Sequence, residues 1–117
     1  EGQSSLRNPS GPCGSEFLVS GEARYVVLQH APARKYFDDN EHPGSIIPSL
    51  GSEVELMRFY GAEVIAITLN TQDLTEAQAK AWQQQYEAEL SLPVVRPLEE
   101  GVGRIVQLVK KIIGKQA

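Results

Sequence analysis

Val64-Ile65-Ala66-Ile67-Thr68-Leu69, residues 64–69, decides the fold class. Every position is apolar or β-branched, and no polar residue alternates with its neighbours. Such a run suits a strand buried on both faces. Burial on both faces requires helices above and below the sheet, and the flanking sequence supplies them. Upstream, Leu50 to Tyr60 reads as a helix with Leu50, Val54 and Met57 on one face and Gly61 ending it. Ser52 and Glu55 have capping-box spacing there. Downstream, Thr75 and Gln78 have the same spacing and open a helix that runs to about Leu90. Ala77, Ala81, Tyr86 and Leu90 are expected to form its inner side.

The pattern continues outward. Arg24 to His30 contains the apolar run Tyr25-Val26-Val27-Leu28, a second strand expected to be buried on both faces. Pro93 to Pro97 is a short third strand. Val102, Ile105, Val106, Val109, Ile112 and Ile113 recur at helical spacing, and this stripe is read as core. Glu99 and Glu100 stand at the start of that helix and Lys110, Lys111 and Lys115 at its end, matching its dipole. Ser15 to Val19 is a short helix. Strands alternate with helices, which implies right-handed βαβ units. The expected class is α/β, a three-layer parallel sheet with flanking helices.

The 117 residues make one domain or part of one, with 1–23 a loop-rich N-terminal segment and 24–117 the alternating core. The opening at Glu1 rather than Met reads as a fragment or processed product, and equally as the scar of a removed tag. A net charge of −4 argues against nucleic-acid binding, which needs clustered cations. No stretch has the apolar length of a membrane span. No signal peptide is visible. The single Cys13 excludes an internal disulfide, so a cytoplasmic location is expected.

Ligands of open α/β sheets bind beyond the carboxyl ends of the strands. The first such end is Gln29-His30-Ala31-Pro32-Ala33-Arg34-Lys35-Tyr36. Arg34 suits bidentate contact with a phosphate or carboxylate, Lys35 adds a point charge, and Gln29 and Tyr36 complete a substrate- or phosphate-binding set. His30 is the candidate acid or base. A solvated loop with a hydrogen-bonded histidine is the competing reading. The second end is Asn70-Thr71-Gln72-Asp73-Leu74. Its N-x-x-D spacing is that of proteins that read a guanine, with Thr71 in place of the usual Lys. Asn70 and Asp73 are the candidate base-binding pair. The competing reading has Asn70 closing the strand and Asp73 or Thr75 capping the next helix.

Two further features are weaker. The turn Gly11-Pro12-Cys13-Gly14-Ser15 could bind an anion through its amides, but no G-x-x-x-x-G-K-[ST] pattern is present. Cys13 has no identified base beside it. Asp38, Asp39, Glu41 and His42 read as a metal site or, more simply, as a hydrated acidic loop.

Together these segments resemble the C-terminal region of the domain-of-unknown-function 1611 family. The likeness is carried by Glu1-Gly2-Gln3-Ser4-Ser5-Leu6 with Asn8-Pro9, by Val27-Leu28-Gln29-His30-Ala31-Pro32 with Arg34 and Tyr36, and by Ile47-Pro48-Ser49-Leu50. Ala66-Ile67-Thr68-Leu69-Asn70 and Leu92-Pro93-Val94-Val95 with Pro97 extend it over nearly the whole chain. The resemblance implies the C-terminal half of a P-loop NTPase-like domain that follows a Rossmann-like domain. It implies that Glu1 lies near a magnesium ion beside a purine nucleotide. It also implies kinship with D-glutamate N-acetyltransferases, and hence acetyl-CoA as a possible co-substrate. The Walker-type loop and its Lys are absent, so these residues alone should hold nucleotide phosphates poorly.

The leading expectation is therefore the C-terminal part of a P-loop enzyme acting on a small carboxylate or amino acid. The expected partners are a small-molecule ligand and either further copies of the chain or an upstream domain, with no nucleic acid and no membrane. The alternative is a non-catalytic assembly module, or a truncated fragment without an independent role.

Overall fold

A computed structural model of the chain describes residues 5–39 and 41–116. The elements in order are α1 (Ser15–Val19), β1 (Tyr25–His30), two short 3-10 turns (Phe37–Asp39 and Pro43–Ser45), α2 (Leu50–Phe59), β2 (Glu63–Leu69), α3 (Glu76–Leu90), β3 (Val94–Val95), α4 (Pro97–Glu100) and α5 (Gly103–Gln116). The strands form one sheet in the order β1-β2-β3. Strands β2 and β3 run parallel, with Ile67 opposite Val94 and Thr68 opposite Val95. At the start of β2 the Glu63 amide donates to the Arg24 carbonyl (2.7 Å), and beyond its end the Asn70 amide donates to the His30 carbonyl (2.8 Å). Both starts pair and both ends pair, so β1 runs parallel to β2 as well.

The chain divides into two compact units. The first comprises Glu1–Val26 and Arg34–Val64, the second Val27–Ala33 and Ile65–Ala117. In the first, Leu18, Leu50, Val54, Met57, Ala62 and Val64 are the buried apolar residues. Leu50, Val54 and Met57 are the face expected of α2, and Gly61 leaves the helix at φ 82°, a conformation open to glycine without strain. The cap differs from expectation. Ser49, not Ser52, is the N-cap, its hydroxyl accepting from the Ser52 amide at 3.3 Å. The helix starts at Leu50 as expected, so the residue before it is the cap and Ser52 falls inside the first turn.

The second unit has the most deeply buried residues, Ala66, Ile67, Leu69, Val94 and Val95. The capping box at Thr75 and Gln78 forms as expected, each side chain bonding the other's backbone amide. The inner face of α3 is Ala79 and Tyr86, not Ala77 and Ala81, which are exposed. Trp82 stacks on Tyr86 with ring centroids 5.3 Å apart, and that large aromatic surface decides which side of the helix turns inward.

Three other expectations are corrected. Strand β1 is half-buried on one face and exposed on the other, at Tyr25, Val27 and Gln29, because nothing among the described residues covers that second face. The last helix is two elements: Glu99 and Glu100 belong to the single turn α4, and Gly101 at φ 75° separates it from α5. The stripe of α5 is not core. Val102, Val106, Val109 and Ile113 are 38–61% exposed, and Ile105 and Ile112 are half-buried.

Candidate functional site at the carboxyl edge of the sheet

In the second unit the ends of β1, β2 and β3 present His30, Asn70 and Arg96. The Asn70–His30 backbone bond places the first two side by side. Beyond Asn70 the chain folds on itself. The Asn70 side-chain oxygen accepts from the Gln72 amide at 3.0 Å, an Asx turn, and the Leu74 amide returns to the Thr71 carbonyl at 3.1 Å. Asp73 takes φ 62°, a left-handed conformation that Asp tolerates better than most residues. Thr75 then caps α3, so Asp73 is not the cap. Because a backbone N–H occupies the Asn70 oxygen, the orientation of the amide is set. Its Nδ2 donors carry no hydrogen bond among the described residues.

His30 is half-buried and meets Tyr86 edge-on, ring centroids 5.6 Å apart. Burial holds its imidazole below the usual histidine range, which favours the neutral ring. Burial, with the nearby Glu89 charge, pushes the Tyr86 phenol up.

Arg96, at the end of β3, is only 8% exposed. Its Nε donates to Gln83 Oε1 (2.9 Å), its Nη2 lies 3.5 Å from Glu100 Oε2, and its backbone amide donates to Glu100 Oε1 (3.1 Å). Gln83 in turn donates to the Val94 carbonyl (2.7 Å) and to Glu100 (3.1 Å). Glu87 accepts from the Val94 amide at 3.1 Å and from Arg104 at 2.9 Å. Side chains thus satisfy the outer backbone groups of β3, which protects that edge of the sheet. On the other side of α4, the Thr71 hydroxyl donates to the Glu99 carboxylate and ties the loop after β2 to the turn after β3. The cation of Arg96 is matched by Glu100, while Asp73 and Glu99 add negative charge. This edge is therefore suited to a neutral, hydrogen-bonding group rather than to a phosphate.

The other candidates lie in the first unit. Arg34 and Lys35 are exposed, the Lys35 ammonium lies 5.4 Å from the Tyr36 ring centroid, and Tyr36 bridges Ile46 in antiparallel fashion. Gln29 and His30 thus fall in one unit, and Arg34, Lys35 and Tyr36 in the other. Buried Asn8, in the segment that carries part of the family likeness, donates to Asp38 at 2.8 Å and accepts from the Ser10 amide at 3.0 Å. Arg7 pairs with Glu53 at 3.0 Å. The His42 ring nitrogen accepts from the Gly44 amide (3.0 Å), and no group of three His, Cys, Asp or Glu residues among the described residues could hold a metal ion. The Gly14 amide, a donor of the supposed anion turn, is taken by Glu16 at 3.1 Å, and the Cys13 thiol donates to the same carboxylate at 3.2 Å. The bond from its own backbone amide, then those from Cys13 and Gly14, hold Glu16 below the usual carboxylate range. Glu1, the expected metal ligand, lies outside the described residues. No helix among the described residues is long and apolar enough to cross a membrane.

Sequence reasoning did not single out Arg96, Gln83, Glu99 or Glu100 for this edge. The one available signal was position, since Arg96-Pro97 follows an apolar strand as His30 and Asn70 do.

Known proteins agree with this architecture. The family described as "Domain of unknown function (DUF1611_C) P-loop domain" matches residues 1–106. The D-glutamate N-acetyltransferase of Tritonibacter scottomollicae is 31% identical over 119 residues, covering 96% of this chain and 35% of that protein. The crystal structure of a DUF1611 family protein from Anabaena variabilis superposes with a TM-score of 0.81 at 25% identity, covering 95% of this chain and 34% of the other. The chain spans about a third of the length of each. With a family match across nine-tenths of its length and the same fold in a solved member, this chain belongs to the DUF1611 family and corresponds to its C-terminal P-loop domain.

Proposed function

We propose that the chain is the base-binding part of a P-loop nucleotide-binding enzyme that acts on a small carboxylate or amino acid. The observation that carries this reading is the Asn70–His30 backbone bond, which sets the tips of β1 and β2 at one end of the sheet, where such folds bind ligands. Asn70 offers a free amide donor there, and Asp73 a carboxylate acceptor, both complementary to the edge of a purine. The residues fit the base and not the phosphates. The chain lacks a Walker-type loop, and the charge at this edge is acidic. Within the second unit Gln29 stands beside His30 as a candidate polar contact; Arg34, Lys35 and Tyr36 of the first unit are, by themselves, candidates for a phosphate or carboxylate. His30, whose imidazole burial shifts toward the neutral form, is the candidate acid or base. The relative's name motivates acetyl-CoA as a co-substrate, with transfer of its acyl group to an amino-acid amine. The reaction belongs to a reducing cytoplasm.

Saturation-transfer NMR with ATP, GTP, acetyl-CoA and D-glutamate, on the chain and on its Arg34→Ala variant, tests this. The expected result is weak binding of a purine nucleotide, reduced roughly tenfold in the variant, which is the weight of one charge-assisted hydrogen bond. Absence of binding to all four, or binding indifferent to Arg34→Ala, removes the respective assignment.

A second reading, a non-catalytic assembly module, is favoured by one observation: the exposed aliphatic stripe of α5. Its measurement is the dependence of mass on concentration, taken up in the Discussion.

A further inference from the structure

Helix α5 holds charge of one sign only. Of the chain's 11 Lys and Arg, four fall in this helix, at Arg104, Lys110, Lys111 and Lys115, and all 15 Asp and Glu fall outside it. The helix therefore has a net charge of +4 and the rest of the chain −8. Arg104 is paired with Glu87 at 2.9 Å. Lys110, Lys111 and Lys115 are exposed and enter no ion pair among the described residues. One of these cations borders the aliphatic stripe. Val106, Val109 and Ile113, at 38–61% exposure, share one sector of the helix. Lys110 follows Val106 by one turn and stands only about 40° round the helix from it. Two copies of this stripe packed antiparallel about Val109 would set each Lys110 beside its mate. No carboxylate of α5 could come between them, and like charges so placed oppose the contact. Carboxylates without an ion pair among the described residues stand elsewhere: Glu22, Glu41, Glu63, Asp73 and Glu89 are all exposed. The complement of α5 is therefore the remainder of a second copy, not its α5.

We propose that the uncovered face of α5 docks head to tail on the acidic surface of a second copy of the chain, with Val106, Val109 and Ile113 in the contact and Lys110 paired with a carboxylate of the other copy. This deepens the assembly reading above and rests on it. It is independent of nucleotide binding. The donor stripe and the acidic acceptor are different surfaces, so each pair leaves one of each unused. Such a contact is heterologous, and addition continues unless a ring closes.

Two measurements on the 117-residue chain test this. The first is sedimentation equilibrium of the unmodified chain as NaCl rises from about 0.1 M to about 1 M, which shortens the Debye length from about 10 Å to about 3 Å. The association constant is expected to fall about two- to fivefold, the weight of an exposed ion pair, and Lys110→Glu should lower it at least as much at the lower salt. The second is a mixture. Fluorescently labelled chain carrying Val106→Ser and Ile113→Ser lacks the stripe but keeps the acidic surface. Alone it should remain a monomer, and in an excess of unlabelled wild-type chain it should gain mass. An association constant that is unchanged or higher at high salt overturns the head-to-tail contact, since a two-fold pairing of α5 or a purely apolar one behaves in that way. A labelled variant that stays monomeric while the wild-type chain around it associates overturns it as well. Either result leaves the assembly reading standing. A wild-type chain that is monomeric under every condition removes both.

Discussion

His30 holds the carboxyl edge together through its backbone and faces Tyr86 with its ring. Its carbonyl accepts the Asn70 amide, and the imidazole sits edge-on to the phenol. Burial disfavours the charged ring, so its folded pKa lies below the ordinary value of about 6.5. The sign follows from linkage. Above about pH 6.5 neither folded nor unfolded chain binds the proton, and the contribution to stability is complete. As pH falls through and below that value the unfolded chain takes the proton first, and stability is lost until the folded pKa is passed. Urea melts at pH 7.5 and 5.5 should therefore show a lower midpoint at the acid pH. In His30→Phe, which keeps a ring against Tyr86, the drop should shrink. An equal drop in both proteins would assign it to other groups. At this scale the sequence revealed only part of the site. His30 and Asn70 were legible because both end apolar strands. Arg96 was not, because its partners Gln83 and Glu100 are chosen by packing, and Gln83 lies 13 residues away along the chain.

Elements were legible where local chemistry and tertiary packing agree. After Glu63, β2 is apolar or β-branched throughout and sits centrally in the sheet, so its pattern and burial coincide. The Thr75 box formed because nothing competes with it, whereas Ser52 falls inside the first turn of a helix that Ser49 caps. β1 and α5 were misread for a shared reason. An apolar run reports the capacity to be buried, not the presence of something to bury it. Val106, Val109 and Ile113 of α5, with Val102 just before it, follow a helical spacing of 4, 3 and 4 and form one uncovered stripe. These four side chains alone present far less than the roughly 800 Å² per partner of a stable interface. Association through them would therefore be weak and would rise with concentration. Sedimentation velocity from about 10 μM to 1 mM should show the average mass increasing in that range, as expected for a weak interface. Val106→Ser with Ile113→Ser should abolish the increase without unfolding the chain, because both residues are exposed. A mass that never leaves the monomer value would end the assembly reading.

On the scale of the whole molecule, burial is unequal between the two units. Ala66, Ile67, Leu69, Val94 and Val95, at 0–2% exposure, lie in the second, together with the strand pairing of Ile67 with Val94. The first unit has its own core around Leu50, Val54, Met57 and Val64 and a polar set of Asn8 with Asp38 and Arg7 with Glu53. Amide protection tracks the free energy of the smallest opening that exposes a group. Residues 65–69 should therefore exchange slowest, the α2 amides should come next, and those of the five-residue α1 and of α5 should exchange fastest. α5 is the decisive member of that series. Its helical bonds are regular, but the chain spans only about a third of its relatives, and nothing among the described residues covers the aliphatic stripe. Hydrogen exchange at dilute and concentrated protein separates the causes. Fast exchange in α5 at both concentrations is expected if its stripe remains open to water. Slow exchange only at high concentration would mean a second copy covers it. Protection of α5 equal to that of β2 in dilute solution would show that helix and sheet open as one cooperative body, and the stripe could then be no free surface.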